Sequence, residues 1–144
     1  MKKCSDVMTR DVVYCSPADT IEEVARLMKK EDIGPVLVVD NDQSKTLVGI
    51  VTDRDIVLKV IAEGQDPNTT KVEDVMSKKL VTCRAGDDVE TTMNAMAQYQ
   101  LRRIPVVADH MKLVGIISQA DLATRADEPE RTAEVVKEIS EQNT

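Results

Sequence analysis

The chain has 144 residues, which at about 150 residues per domain is one compact unit or two very small ones. Its 42% hydrophobic and 31% charged residues are ordinary globular composition and exclude a disordered tail protein. A net charge of −7 with no long basic run excludes nucleic acid as a partner, and the lack of Trp and Phe leaves almost no rings for stacking bases.

In chain order, Met1-Lys2-Lys3 opens like a signal peptide but runs into polar CSDVMTRD, and no window approaches the roughly 18 uninterrupted apolar residues of a membrane span. A cytoplasmic protein with no membrane partner is expected. Val12-Val13-Tyr14-Cys15 reads as a short strand closed by Ser16-Pro17. Thr20 with Glu23 forms a capping box, and Ile21, Val24, Leu27 and Met28 make one apolar stripe, so a helix follows. Residues 36–39 and 47–51, joined by a polar turn over 41–46, read as a buried hairpin, and a second helix starts at Thr52. Residues 62–71 form a linker.

An internal repeat then becomes visible. Asp6-Val7-Met8 recurs as Asp74-Val75-Met76, and the same spacing carries Val13 to Val81, Cys15 to Cys83, Met28 to Met96 and Val38-Val39 to Val106-Val107. Leu47-Val48-Gly49-Ile50 matches Leu113-Val114-Gly115-Ile116 after a slip of two residues, which places the difference in a hairpin turn. The second copy's helix repeats the first, with Asp87 and Glu90 as cap pair and Val89, Met93 and Met96 on the apolar side. The expected class is α/β (α+β), two βαββα motifs over 1–61 and 72–125, each too small to bury much surface alone and so packed together as one unit. Residues 126–144 form a charged tail whose Val135, Val136 and Ile139 suit one amphipathic helix that could close a dimer.

The order of strand, DTIEEVARLM helix, VLVVD strand and LVGIVTDRD strand-into-helix, repeated as RRIPVV and LVGIISQAD, resembles a tandem pair of CBS domains, a Bateman module. The likeness spans residues 4–124 and is nearest to stand-alone bacterial two-CBS proteins, the hypoxia-response kind included. It implies two motifs packed with pseudo-twofold symmetry, commonly a homodimer, with clefts that bind adenosyl compounds such as AMP, ADP, ATP or S-adenosylmethionine, and no required cofactor. The regulated partner protein is left unnamed by it.

The residues themselves supply a chemistry for such a cleft. Thr52-x-x-Asp55 and Ser118-x-x-Asp121 stand where a strand enters a helix, so a hydroxyl, free N–H groups and the helix dipole face an incoming anion. The acceptor-only carboxylate suits the donor hydroxyls of a ribose. The same spacing is also how a helix caps itself. Arg102-Arg103 leads into the second copy's strand where the first has Gly34-Pro35. The resemblance implies that these arginines reach the phosphate of a nucleotide whose ribose is held by Thr52 and Asp55, so that the two clefts differ; the plain alternative is solvated arginines at a strand start. Leu37 stands where the second copy has Pro105, a departure from the family pattern that bears on the strand's shape.

Cys4, Cys15 and Cys83 are an odd number without CxxC, which suits thiols in a reducing compartment. Cys15 and Cys83 read as core residues and His110 as surface in a hairpin turn; a metal site built from Cys4, Cys15, Cys83 and His110 fits no zinc spacing. The scattered glycines form no phosphate loop and no nucleophile-base signature is present, so no catalytic residue is expected. The reading is a sensor of adenosyl ligands; the alternative is a ligand-free dimerisation scaffold in a stress response.

Overall fold

The computed structural model describes residues 1–141. Its elements run α1 (Cys4–Val7), β1 (Tyr14–Cys15), α2 (Ile21–Glu31), β2 (Pro35–Val39), β3 (Leu47–Thr52), α3 (Asp53–Ile56, continued by a π-helical turn Val57–Ile61), β4 (Cys83–Arg84), α4 (Val89–Tyr99), β5 (Arg103–Ala108), β6 (Lys112–Ser118), α5 (Gln119–Arg125) and α6 (Pro129–Glu141). They build two three-stranded sheets, β1-β2-β3 and β4-β5-β6. In each, the first two strands are parallel and the last two antiparallel. A parallel neighbour requires a crossover, which α2 and α4 supply, whereas the antiparallel pairs need only a turn.

Packing divides the chain into a contiguous unit, Val13–Leu80, and a composite unit that joins residues 1–12 to the chain from Val81 onward. In the contiguous unit, the stripe of α2 (Ile21, Val24, Met28) packs on Val36, Val38 and Val51, with Cys15, Val60, Val72 and Val75 completing the core. Strand β3 alternates buried and half-buried residues, as a sheet with one covered face does. The composite unit buries Cys4, Val7, Met8, Cys83, Val89, Met93, Met96, Ile104, Val106, Ile117 and Leu122 in the same manner. Leu37 and Pro105 hold equivalent places, and both strands slip register at the next equivalent step, Val38/Val39 and Val106/Val107. The substitution therefore leaves the strand's shape unchanged.

The sequence repeats and the packing units have different boundaries. Met8 lies over Gly115 of the second copy, where an added Cβ would come within 2.5 Å of its sulfur, and Met76 lies over Gly49 of the first at 2.6 Å. Backbone bridges Thr9 to Ile116 and Ser77 to Ile50 accompany them. Methionine and glycine of the repeat thus form one contact, but each copy's lead-in segment covers the other copy's sheet. We call residues 1–12 the arm.

Residues 62–71 are more than a tether. The first N–H groups of a helix have no partner inside it; here Thr70 and Pro67 carbonyls accept from Ile21 N and Glu22 N at 2.9 and 3.0 Å, and Lys2 of the arm does the same for Val89 N at 2.9 Å. The expected cap pair of the second copy is corrected. Asp88, not Asp87, is the N-cap of α4 and its side chain caps nothing; it pairs with Lys3 at 2.6 Å, while Glu90 pairs with Arg131 at 3.1 Å. Arm and tail have taken both groups.

The tail stripe also differs from expectation. Val135 and Ile139 of α6 are 0% and 1% exposed, buried in the composite unit's own core. The reason is in α4, whose outer positions include Met93 and Ala97, where α2 has Ala25 and Lys29, both exposed. An apolar helix face inside the same chain satisfies the tail, so no second chain is needed to cover it.

Candidate functional site

The two strand-to-helix junctions are built alike. Thr52 ends β3 in extended conformation, its Oγ1 accepts from Asp55 N at 3.1 Å, and its own N–H donates to Asp55 Oδ2 at 3.0 Å. Ser118 ends β6 the same way, accepting from Asp121 N at 3.2 Å and donating its N–H to Asp121 Oδ2 at 2.9 Å. Both pairs are closed capping boxes.

Their surroundings separate them. Asp121 is 6% exposed and its carboxylate also receives the Ser118 hydroxyl at 3.2 Å and, on Oδ1, the Thr9 hydroxyl at 3.0 Å, with Arg125 3.9 Å away. Its acceptor capacity is spent on holding the arm. Asp55 has no counterpart of the Thr9 bond; its Oδ1 faces Lys59 at 3.2 Å, and its side chain is 20% exposed. A part-exposed acceptor that faces one ammonium has room for hydroxyl donors that the buried Asp121 lacks. Lys59 Nζ also donates to the Val75 carbonyl at 3.1 Å, which fixes the ammonium beside Asp55. Beside this junction Asp53, Arg54, Val57 and Leu58 line an open, mainly apolar depression of about 300 Å3.

Arg102 and Arg103 are exposed, and within the composite unit they stand at the Ser118 end of the sheet: Arg103 pairs with Ser118, and the Arg102 carbonyl accepts from Gln119 N at 3.1 Å. Neither guanidinium has an ion-pair partner among the described residues. Thr9, Lys59 and Arg125 were missing from the sequence reading. Lys59 lies one helical turn beyond Asp55 and was legible from that spacing, whereas Thr9 meets Asp121 only through the exchange of lead-in segments. His110 is exposed in the turn between β5 and β6. Among the described residues no three His, Cys, Asp or Glu side chains gather to hold a metal, and no helix is long and apolar enough to cross a membrane.

A duplicated β-α-β-β-α unit with a hydroxyl-acid box at each β-to-α junction is the build of the CBS domain, and the CBS domain model matches residues 4–62 and 72–128. The chain belongs to the CBS-domain family. It is 43% identical to YlbB of Bacillus subtilis over 98% of this chain and 93% of that one, and 34% identical to hypoxic response protein 1 of Mycobacterium tuberculosis over 89% and 87%. Among solved structures it resembles hypoxic response protein I with two coordinated zinc ions (TM-score 0.75, 34% identity, covering 85% of this chain and 98% of that one). It also resembles the CBS domain pair of protein MJ0100 in complex with 5′-methylthioadenosine and S-adenosylmethionine (TM-score 0.68, 26% identity, 85% and 94%). CBS-pair proteins are regulatory.

Proposed function

We propose that the chain is a cytoplasmic sensor module that binds an adenosyl ligand, from AMP, ADP and ATP to S-adenosylmethionine, and passes its occupancy to a partner protein. Thr52, Asp55, Arg102 and Arg103 are the principal proposed ligand-contacting residues, and Ser118 and Asp121 are a secondary set at the other junction. The observation that carries this reading is the part-exposed carboxylate of Asp55 at a helix N-terminus, its Oδ1 shared among the described residues only with Lys59, beside a mainly apolar depression that suits an adenine in a chain with almost no aromatic rings. Asp55 is the principal ribose acceptor; Asp121, saturated by Ser118 and Thr9, contributes mainly to the fold. The unpaired guanidinium groups of Arg102 and Arg103 are the cations offered to phosphate. The adenosyl ligands of the MJ0100 pair support the ligand class.

The test is a thermal-shift screen with AMP, ADP, ATP, S-adenosylmethionine, 5′-methylthioadenosine and NADH. A ligand that binds only the folded state adds about 2.7 kcal/mol at about 100 times its Kd, a rise on the order of 5–15 °C here. In calorimetric titration Asp55→Ala weakens binding by about 1.5–3 kcal/mol. Arg103→Ala weakens AMP but spares adenosine, and Asp121→Ala mainly lowers stability. If Asp121→Ala abolishes binding in folded protein while Asp55→Ala leaves it intact, the assignment of the acceptor is wrong. The closed capping boxes favour a second reading, a ligand-free scaffold; a screen in which no adenosyl compound at millimolar concentration moves the midpoint selects it.

The same reading includes a homodimer. Val57, Leu58 and Ile61 are 56%, 46% and 58% exposed on one side of the turn that follows α3, an apolar strip that shares Val57 and Leu58 with the depression, so that a second chain seated here would line the ligand site as well; its equivalents in the other copy are Ala123, Thr124 and Asp127. Light scattering of the parent and of Leu58→Lys across concentration tests it; identical monomer masses reject self-association through this strip.

A further inference from the structure

We propose that Cys4 and Cys83 are an oxidant-responsive pair that a peroxide closes into an intramolecular disulfide, fastening the arm to the composite unit. The arm brings them together. Cys4 N donates to the Asp87 carbonyl at 2.8 Å and Ser5 N to the Ala85 carbonyl at 3.0 Å, so α1 lies along the segment that begins with Cys83 in β4. Cys4 and Cys83 lie in the same buried core cluster; Thr92 Oγ1, 0% exposed, lies 3.0 Å from Cys4 Sγ, and the Cys83 thiol points to the Pro105 carbonyl at 3.9 Å.

The other copy shows that the fold does not require this trio. There the equivalents of Cys4, Cys83 and Thr92 are Val72, Cys15 and Val24, all buried in one apolar core. Two valines fill the space that a thiol and a hydroxyl fill in the composite unit. The exchange has a chemical effect: the neighbouring Cys83 thiol and the Thr92 hydroxyl draw the Cys4 pKa down to about 7, against the opposing effect of burial, while the nearness of Cys4 pushes Cys83 up. One sulfur is disposed to attack as thiolate and the other waits as thiol.

Cys4 is 0% exposed, so an oxidant reaches it when the arm lifts, and local segments open at lower free energy than the whole fold. The Cys4 thiolate attacks one peroxide oxygen; the S–O bond forms, the O–O bond breaks, and the departing hydroxide takes a proton to become water. The Cys83 sulfur then attacks the Cys4 sulfenic sulfur; the S–S bond forms, the S–O bond breaks, and the hydroxyl leaves with the Cys83 proton as a second water. Two thiols lose two electrons and the peroxide gains two. The closed ring, from residue 4 to residue 83, contains the whole contiguous unit and prevents the arm from lifting.

The experiment treats the fully reduced chain with hydrogen peroxide, blocks remaining thiols under denaturing conditions, and reads intact mass and a peptide map. The expected result is a loss of two hydrogens, a Cys4–Cys83 linked peptide, one alkylatable thiol at Cys15, and a melting midpoint raised by about 5 °C or more that dithiothreitol reverses. Cys15→Ser keeps the link. Cys4→Val, which copies the residue of the sibling repeat and is checked for folding by circular dichroism, loses it together with the midpoint shift. Three thiols still alkylatable after peroxide, a link between two chains, a link through Cys15, or oxidation of Cys4 to sulfonic acid without a link would each overturn the proposal.

Discussion

Burial in the contiguous core, with the nearby Asp19 carboxylate adding to it, pushes the Cys15 thiol up to about 12 from an ordinary value near 9.0. The folded state holds this proton while the unfolded chain releases it, so between those two values the unfolded state binds fewer protons and stability falls as pH rises. Below pH 9 the group contributes no pH dependence. Above it, the loss attributable to Cys15 approaches about 1.4 kcal/mol per pH unit until the folded thiol also ionises. Lysines and tyrosines titrate in the same window, so the measurement is a difference: urea unfolding of the parent and of Cys15→Ala at pH 8 and pH 10.5. The parent is expected to lose more over that interval, and parallel losses would show that Cys15 ionises freely in the fold.

At the scale of elements, the contact of Met8 with Gly115 makes a sharp prediction. An alanine at 115 places its methyl 2.5 Å from the Met8 sulfur and 2.9 Å from the Thr9 carbonyl oxygen, which is backbone and cannot step aside. Gly115→Ala is expected to destabilise by about 1–3 kcal/mol through overpacking, and Met8→Ala in the same chain to restore part but not all of it. Gly49→Ala, with the Ser77 carbonyl oxygen at 3.1 Å, is expected to cost less. Chemical denaturation of the three variants and the parent checks the order.

The helices and hairpins behind these contacts were legible because their signals are local: the α2 stripe and Thr20-Glu23 box, the apolar runs of β2 and β3, and the Thr52 and Ser118 junctions each lie within a few residues. The exchange of lead-in segments was not legible. A repeat tells which segments are alike and is silent on which of them touch, since Met8 can cover Gly49 or Gly115 with equal local chemistry. The missed cap of α4 has the same origin, because Lys3, distant in sequence, outcompetes the backbone for Asp88. Nothing in VLKVI distinguishes a π turn from an ordinary helical one.

At the scale of the molecule, the tail belongs to the composite unit's stability. Removing residues 126–144 strips Val135 and Ile139 from the core and uncovers Met93 and Ala97. Two fully buried aliphatic side chains correspond to about 3–6 kcal/mol, an upper figure because the unfolded chain hides some of that surface. Truncation after Arg125 is therefore expected to lower the urea midpoint and to increase binding of a hydrophobic dye. A truncated chain with unchanged stability but altered mass would return the tail to an assembly role.

The exchange of lead-in segments also sets an order of events during synthesis. The arm leaves the ribosome before either sheet exists, yet its partners lie 112 residues away for Thr9 with Asp121 and 118 for Arg125 with Val7. The contiguous unit, whose internal packing draws only on residues 13–80, can close as soon as it has emerged. The arm, made earlier, must wait for strands and helices not yet translated. The arm, made before the contiguous unit, is thus incorporated after it, and a nascent chain from which residue 80 has just emerged carries a finished unit preceded by an arm with nothing to hold.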